Sequence, residues 1–221
     1  MDFIFMLTWA DQTVKNCLEV FDSISETGLG HVGFKDIGVD RATLTELHGR
    51  IKASGAVSYM EVVSTTSEAC LHSARVAREL GVDRLLGGFE VAATLELLAG
   101  SGIAYYPFPG RPEGHPTRLH GSPAEIAADC ARMARAGCAG ADLLAYRAVD
   151  AEPLALVEAA RAALSGALIV AGSIDTPDQI RALAAAGVDA FTIGTAAFEG
   201  AFSPGKEGLR LQVEDILAAA A

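Results

Sequence analysis

Two short apolar runs each end on a charged residue, and those charges are the first candidates for chemistry in this chain. In HVGFKD, Val32 and Phe34 alternate with His31, Gly33 and Lys35. If the run is a strand, the apolar pair is covered and Lys35 stands on the opposite face, at the end. In SYMEVVS, Met60 and Val62 suit the covered face and leave Tyr59, Glu61 and Val63 opposite. A lysine withdrawn from water can bind phosphate, polarise a carbonyl, or form a Schiff base once its pKa falls. A carboxylate beside it can act as a general base or simply pair with the ammonium. Arg147, which closes DLLAYR, offers a bidentate clamp for a carboxylate or phosphate; its bland alternative is a salt bridge to Asp150 or Glu152.

The stretch YYPFPGRPEGHPTRLHG is the longest connector. Its prolines stiffen it, and Arg111, His115, Arg118 and His120 make it locally positive. It suits a lid or a surface for an acidic substrate. His115 and His120 can shuttle protons, although loop histidines are often merely solvated; His115 is taken as a catalytic candidate. His48 and His72 fall in helical segments and are set aside. Gly87-Gly88 either approaches a substrate or turns the chain.

For these groups to meet, strand ends must be gathered at one place. Short apolar runs at 3–7, 31–35, 58–63, 84–86, 104–107, 142–146, 168–171 and 191–193 alternate with helical segments. Those segments lie near 11–27, 40–54, 67–80, 90–100, 123–137, 152–164, 177–186 and 207–219, with apolar positions recurring at three and four. Ser122-Pro123 with Glu125, and Thr176-Pro177-Asp178, read as helix starts. Gly55, Gly81, Gly102, Gly137, Gly166 and Gly187 follow helical runs, where a left-handed residue is expected. Strict alternation leaves an open doubly wound sheet or a closed barrel. Eight evenly spaced units favour a single-domain (β/α)8 TIM barrel over residues 1–221. The loop LTWADQT has no glycine, which excludes a dinucleotide-binding fingerprint after the first strand.

In a barrel, catalytic groups stand at the C-terminal ends of strands. After the seventh and eighth runs come Gly172-Ser173 and Gly194-Thr195, small residues that let backbone N–H groups close on an anion. The whole stretch LIVAGSIDTPDQIRALAAAGVDAFTIGTAAFEG resembles the end of ribulose-phosphate-binding barrels, especially the histidine-biosynthesis isomerase and cyclase. The resemblance covers residues 167–200 and implies that the matching glycines hold a substrate phosphate. It also implies an acid–base Asp ending the first and fifth strands. This chain has Leu7-Thr8-Trp9 and Tyr106-Pro107-Phe108 there, so the pocket is carried over but not that isomerase's reaction.

A formal charge of −11 offers no basic excess for nucleic acid. No apolar run is long enough for a membrane span, and MDFIFMLTWADQ reads as a first strand rather than a signal peptide. Cys17, Cys70, Cys130 and Cys138 lack metal spacing and sit in or beside helical segments, as reduced packing residues of a cytoplasmic protein do. No motif calls for a cofactor or metal, and a homo-oligomer is open because barrels of this size often associate. The residues therefore point to an enzyme acting on a phosphorylated small-molecule carbonyl compound. It would be an isomerase or epimerase working through an enediolate. The alternatives are a Schiff-base lyase or aldolase using Lys35, and a non-catalytic barrel that binds a phosphorylated metabolite.

Overall fold

Each apolar run lies between two layers, and its alternation divides the side chains between them. In the computed structural model, which describes residues 1–63, 66–114 and 116–221, eight strands run parallel. They are β1 (Asp2–Met6), β2 (His31–Lys35), β3 (Val57–Val62), β4 (Arg84–Gly87), β5 (Ala104–Tyr106), β6 (Gly140–Leu143), β7 (Ala167–Val170) and β8 (Ala190–Ile193). The sheet order β6-β7-β8-β1-β2-β3-β4-β5 leaves β5 and β6 as its two ends. Backbone bonds from Ala139 N to Tyr105 O and from Asp142 N to Pro107 O, both 3.0 Å, draw those ends together and bring the sheet close to full closure.

The residues Phe34, Met60, Val62, Leu85, Leu168 and Phe191 face outward into one large core beneath the helices. Those helices are α1 (Cys17–Ile24), α2 (Arg41–Ala53), α3 (Ser67–Leu80), α4 (Val91–Leu98), α5 (Pro123–Ala136), α6 (Pro153–Ala163), α7 (Pro177–Ala185), α8 (Thr195–Phe198) and α9 (Leu209–Ala220). Ile4, Met6, Tyr59, Leu86, Tyr106, Ile169 and Ala190 fill the barrel itself. Ser122 and Thr176 close capping boxes with Glu125 and Gln179. The inward chains at the N-terminal mouth form a polar plug. His31 Nδ1 lies 2.9 Å from the Tyr59 hydroxyl, and the Arg84 guanidinium lies 5.3 Å from the Tyr59 ring centre. So His31 points inward at one end of the barrel and Lys35 at the other.

Three expectations change. The segment 11–27 is not one helix: Thr8–Trp9 and Gln12–Thr13 form a small antiparallel hairpin, and α1 begins only at Cys17. The sixth strand spans Gly140–Leu143 instead of 142–146, because its apolar run continues into a 3₁₀ turn at Ala145–Arg147. Gly166 is not left-handed as the other five helix-following glycines are; a Cβ there would lie 2.3 Å from the Ala139 carbonyl oxygen.

Candidate functional site

The register Lys35↔Glu61 between β2 and β3 sets the two residues side by side at the C-terminal ends of their strands. Their side chains meet at the floor of a cavity of about 490 Å³. Lys35 Nζ lies 3.3 Å from Glu61 Oε2, and their side chains are 4% and 12% exposed. The Lys35 backbone is held on both sides by one threonine: Thr13 Oγ1 donates to Lys35 O at 2.7 Å and accepts from Lys35 N at 2.8 Å.

That threonine belongs to the hairpin after β1, and the hairpin brings in a group the sequence reading passed over. Ala10 and Asp11, at its tip, have φ of 49° and 58°, the left-handed region that costs an ordinary residue about 1–2 kcal/mol. The strained tip turns the Asp11 carboxylate into the cavity. Lys35 Nζ donates to Asp11 Oδ1 at 3.0 Å, and Arg147 Nη1 donates to both Asp11 oxygens at 3.2 Å. Burial alone would push the Asp11 carboxyl up, but the charges of Lys35 and Arg147 hold it below the usual carboxylate range. Arg147 thus pairs with Asp11 rather than with Asp150 or Glu152, and it stands on the 3₁₀ turn instead of at the strand end. The only sequence signal for Asp11 was a polar WADQ step in the first βα loop, where barrel chemistry is expected.

Gly172, Ser173, Gly194 and Thr195 also line the cavity. Gly172 has φ 87°, and a Cβ there would lie 2.6 Å from Arg147 Cγ; the loop and the arginine stem pack that closely. Ser173 is itself left-handed at φ 53°. Gly194 admits no side chain because a Cβ would lie 2.9 Å from the Met6 and Thr8 carbonyl oxygens. Both glycines therefore have packing reasons to be glycine, and both leave backbone facing the cavity. Trp9, 55% exposed, stands at the rim with its indole N–H donating to Glu199 at 3.2 Å.

Lys35, Glu61, Arg147 and the four loop residues thus line one cavity. His115 lies outside the described residues. His120 is elsewhere: its Nδ1 lies 3.1 Å from Asp150 Oδ2, on a second hairpin formed by Arg111–Glu113 and Arg118–His120. Gly87 ends β4 and Gly88 follows it, both with positive φ and packed against Phe108 and Tyr105, and they are not part of the cavity wall.

A second carboxyl group also escaped the sequence reading. Asp142 is fully buried, and among the described residues neither of its oxygens has a hydrogen-bond partner. Burial first, and then the nearby charge of Glu61, push its carboxyl well above the usual range, outweighing Lys35 and Arg147. The signal was an acidic residue inside the run GADLL, obscured because the strand was taken to start at residue 142. Among the described residues no group of three or more His, Cys, Asp or Glu is arranged to hold a metal ion. No described helix is long and apolar enough to cross a membrane.

No family model matches the chain, and no curated protein matches it. Solved structures do. Orotidine 5'-phosphate decarboxylase from Pyrococcus horikoshii OT3 superposes with a TM-score of 0.71 at 12% identity, covering 99% of this chain and 98% of that one. A structure described as native KDPGal gives 0.69 at 13% identity, over 99% and 94% of the two chains. A chain of the Amycolatopsis orientalis BexX/CysO complex gives 0.64 at 19% identity, over 100% and 88%. At these identities the likeness is one of fold, and the resemblance of residues 167–200 to histidine-biosynthesis barrels rests on the sequence. What the chain shares with these proteins along nearly its whole length is the eight-stranded α/β barrel.

Proposed function

We propose that this protein is an enzyme that isomerises or epimerises a small phosphorylated carbonyl compound through an enediolate. The observation that carries the reading is the placement of Lys35. Its Nζ is bracketed by Asp11 at 3.0 Å and Glu61 at 3.3 Å, in a cavity that Gly172-Ser173 and Gly194-Thr195 also line. An ammonium between two carboxylates is better suited to polarise a carbonyl than to attack it. With the phosphate against the glycine loops, the carbonyl oxygen would point at Lys35. Glu61 would take the proton from the adjacent carbon while Lys35 stabilises the enediolate oxygen. In isomerisation Glu61 would return that proton on the same face to the former carbonyl carbon, as the hydroxyl proton passes by way of Lys35 to the former carbonyl oxygen. In epimerisation the same carbon would take a proton from water on its opposite face. Asp11 and Arg147 would fix where Lys35 points. The fold is also that of orotidine 5'-phosphate decarboxylase, a protein named for a phosphorylated substrate, which supports a phosphorylated ligand here by analogy.

The test uses a panel of phosphorylated aldoses and ketoses incubated with the protein in deuterated water and read by mass spectrometry. The proposal expects deuterium at the carbon next to the carbonyl, with borohydride trapping no adduct. It also expects Glu61→Gln to slow the exchange by about 100- to 10,000-fold. A borohydride-trapped adduct on Lys35 would instead establish the Schiff-base lyase. Binding with neither exchange nor adduct would leave a non-catalytic barrel.

A further inference from the structure

We propose that Asp142 is a positioning residue for the Lys35–Glu61 pair: a buried carboxyl group in the barrel interior, without a hydrogen-bond partner among the described residues, that leaves Lys35 to Glu61 and Asp11. The proposal rests on the reading of Lys35 and Glu61 given above, but its geometry stands independently. On β6, Ala141 and Leu143 belong to the outer core, so Asp142 between them faces the barrel interior. It is 0% exposed, and among the described residues both oxygens lack a hydrogen-bond partner. A buried carboxylate without donors is too costly to stay ionised, and such a group takes up a proton instead.

Among the described residues, the charged groups around it are already paired with one another. Lys35 on β2 and Glu61 on β3 face it, as does Arg147 just beyond β6, with Asp11 of the first loop bound to both cations. Tyr106 is the inward phenol of neighbouring β5. Among the described residues, two cations and two carboxylates already pair at separations of 3.0 to 3.3 Å. A third negative charge would compete with Asp11 and Glu61 for Lys35 and Arg147. Asp142 does not line the cavity, so it acts on a substrate only through these neighbours.

The same chemistry makes the inference measurable without any substrate. An unfolded Asp releases its proton near 3.8, whereas the buried group keeps it to higher pH. Between those values the folded chain binds more protons than the unfolded one, so folding loses stability as pH rises. Asp142→Asn, an uncharged isostere, lacks that loss. Urea unfolding of both proteins should give nearly equal midpoints at about pH 4 and a growing advantage for the Asn variant toward about pH 8. A gap that does not change with pH, or one favouring the wild type at high pH, would overturn the proposal.

Should the variant fail to fold, infrared spectroscopy of the wild type decides. A protonated-carboxyl band at neutral pH that moves on ¹³C labelling of aspartate is expected, and its absence sinks the idea. For the positioning role, the alkaline fall of turnover should move to higher pH in Asp142→Asn. An unmoved alkaline limb would reduce Asp142 to a packing residue. Failure in unfolding or infrared refutes the Asp142 proposal alone. Success there without proton exchange on any sugar phosphate refutes the reaction.

Discussion

Asp11 takes hydrogen bonds from both Lys35 and Arg147 with its side chain only 5% exposed, so its charge holds the site's cations in place. Removing one partner of a buried pair costs about 3–5 kcal/mol; because Lys35 keeps Glu61, Asp11→Asn should cost about 2–3 kcal/mol. The Asp11 carboxyl is held below its ordinary 3.8, so this stabilisation is present above that pH and fades as pH falls through the lower folded value. Unfolding curves of wild type and Asp11→Asn should therefore converge in acid and separate toward neutrality. A gap that stays unchanged however far the pH falls below 3.8 would mean that the carboxylate is not what stabilises. Period-two alternation was enough to show Lys35 and Glu61 in the sequence, because covered Val32, Phe34, Met60 and Val62 leave their neighbours only one side to occupy. Asp11 and Asp142 were hidden for a different reason. Each sat at the edge of a wrongly bounded element, where alternation and helical spacing carry no weight.

The hairpin after β1 is the element that assembles the site, and it is built against local preference. Both residues at its tip have positive φ, the geometry of a two-residue hairpin turn in which Asn and Gly are the favoured types. Ala10 and Asp11 supply neither, which is why the segment did not read as a turn. Strain of this kind gathers where a side chain must be aimed. Ala10→Gly should relieve the turn and raise stability by about 0.5 kcal/mol, the strain removed being offset in part by glycine's larger unfolded entropy. Chemical denaturation checks it, and a loss of stability would show that the Ala10 methyl packs rather than strains. Elsewhere the elements follow their signals closely. Ser122-Pro123-Glu125 and Thr176-Pro177 start helices because their hydroxyls and the N-terminal prolines satisfy or remove the first unpaired N–H groups. The sixth strand misled because Leu143, Leu144 and Ala145 stay apolar past the point where the backbone leaves the sheet.

For the whole molecule, eight repeats of strand and helix left few architectures, and the barrel was legible from spacing alone. Its function was less so, since the same barrel carries many reactions. The cavity, though, combines two features in its lining: glycine backbone and a bracketed lysine. The proposed reading predicts from that combination a preference for a ligand carrying both a phosphate and a carbonyl group. The most direct measurement is a thermal-shift comparison of sugar phosphates with the same sugars unphosphorylated, with inorganic phosphate and sulfate alongside. A ligand at one hundred times its dissociation constant adds about 2.7 kcal/mol to stability. For a chain of this length that is a rise of about 5–10 °C in melting temperature. The account predicts such a rise with at least one sugar phosphate and none with its unphosphorylated counterpart. Equal shifts for both, or no shift with any phosphorylated compound at high concentration, would contradict it.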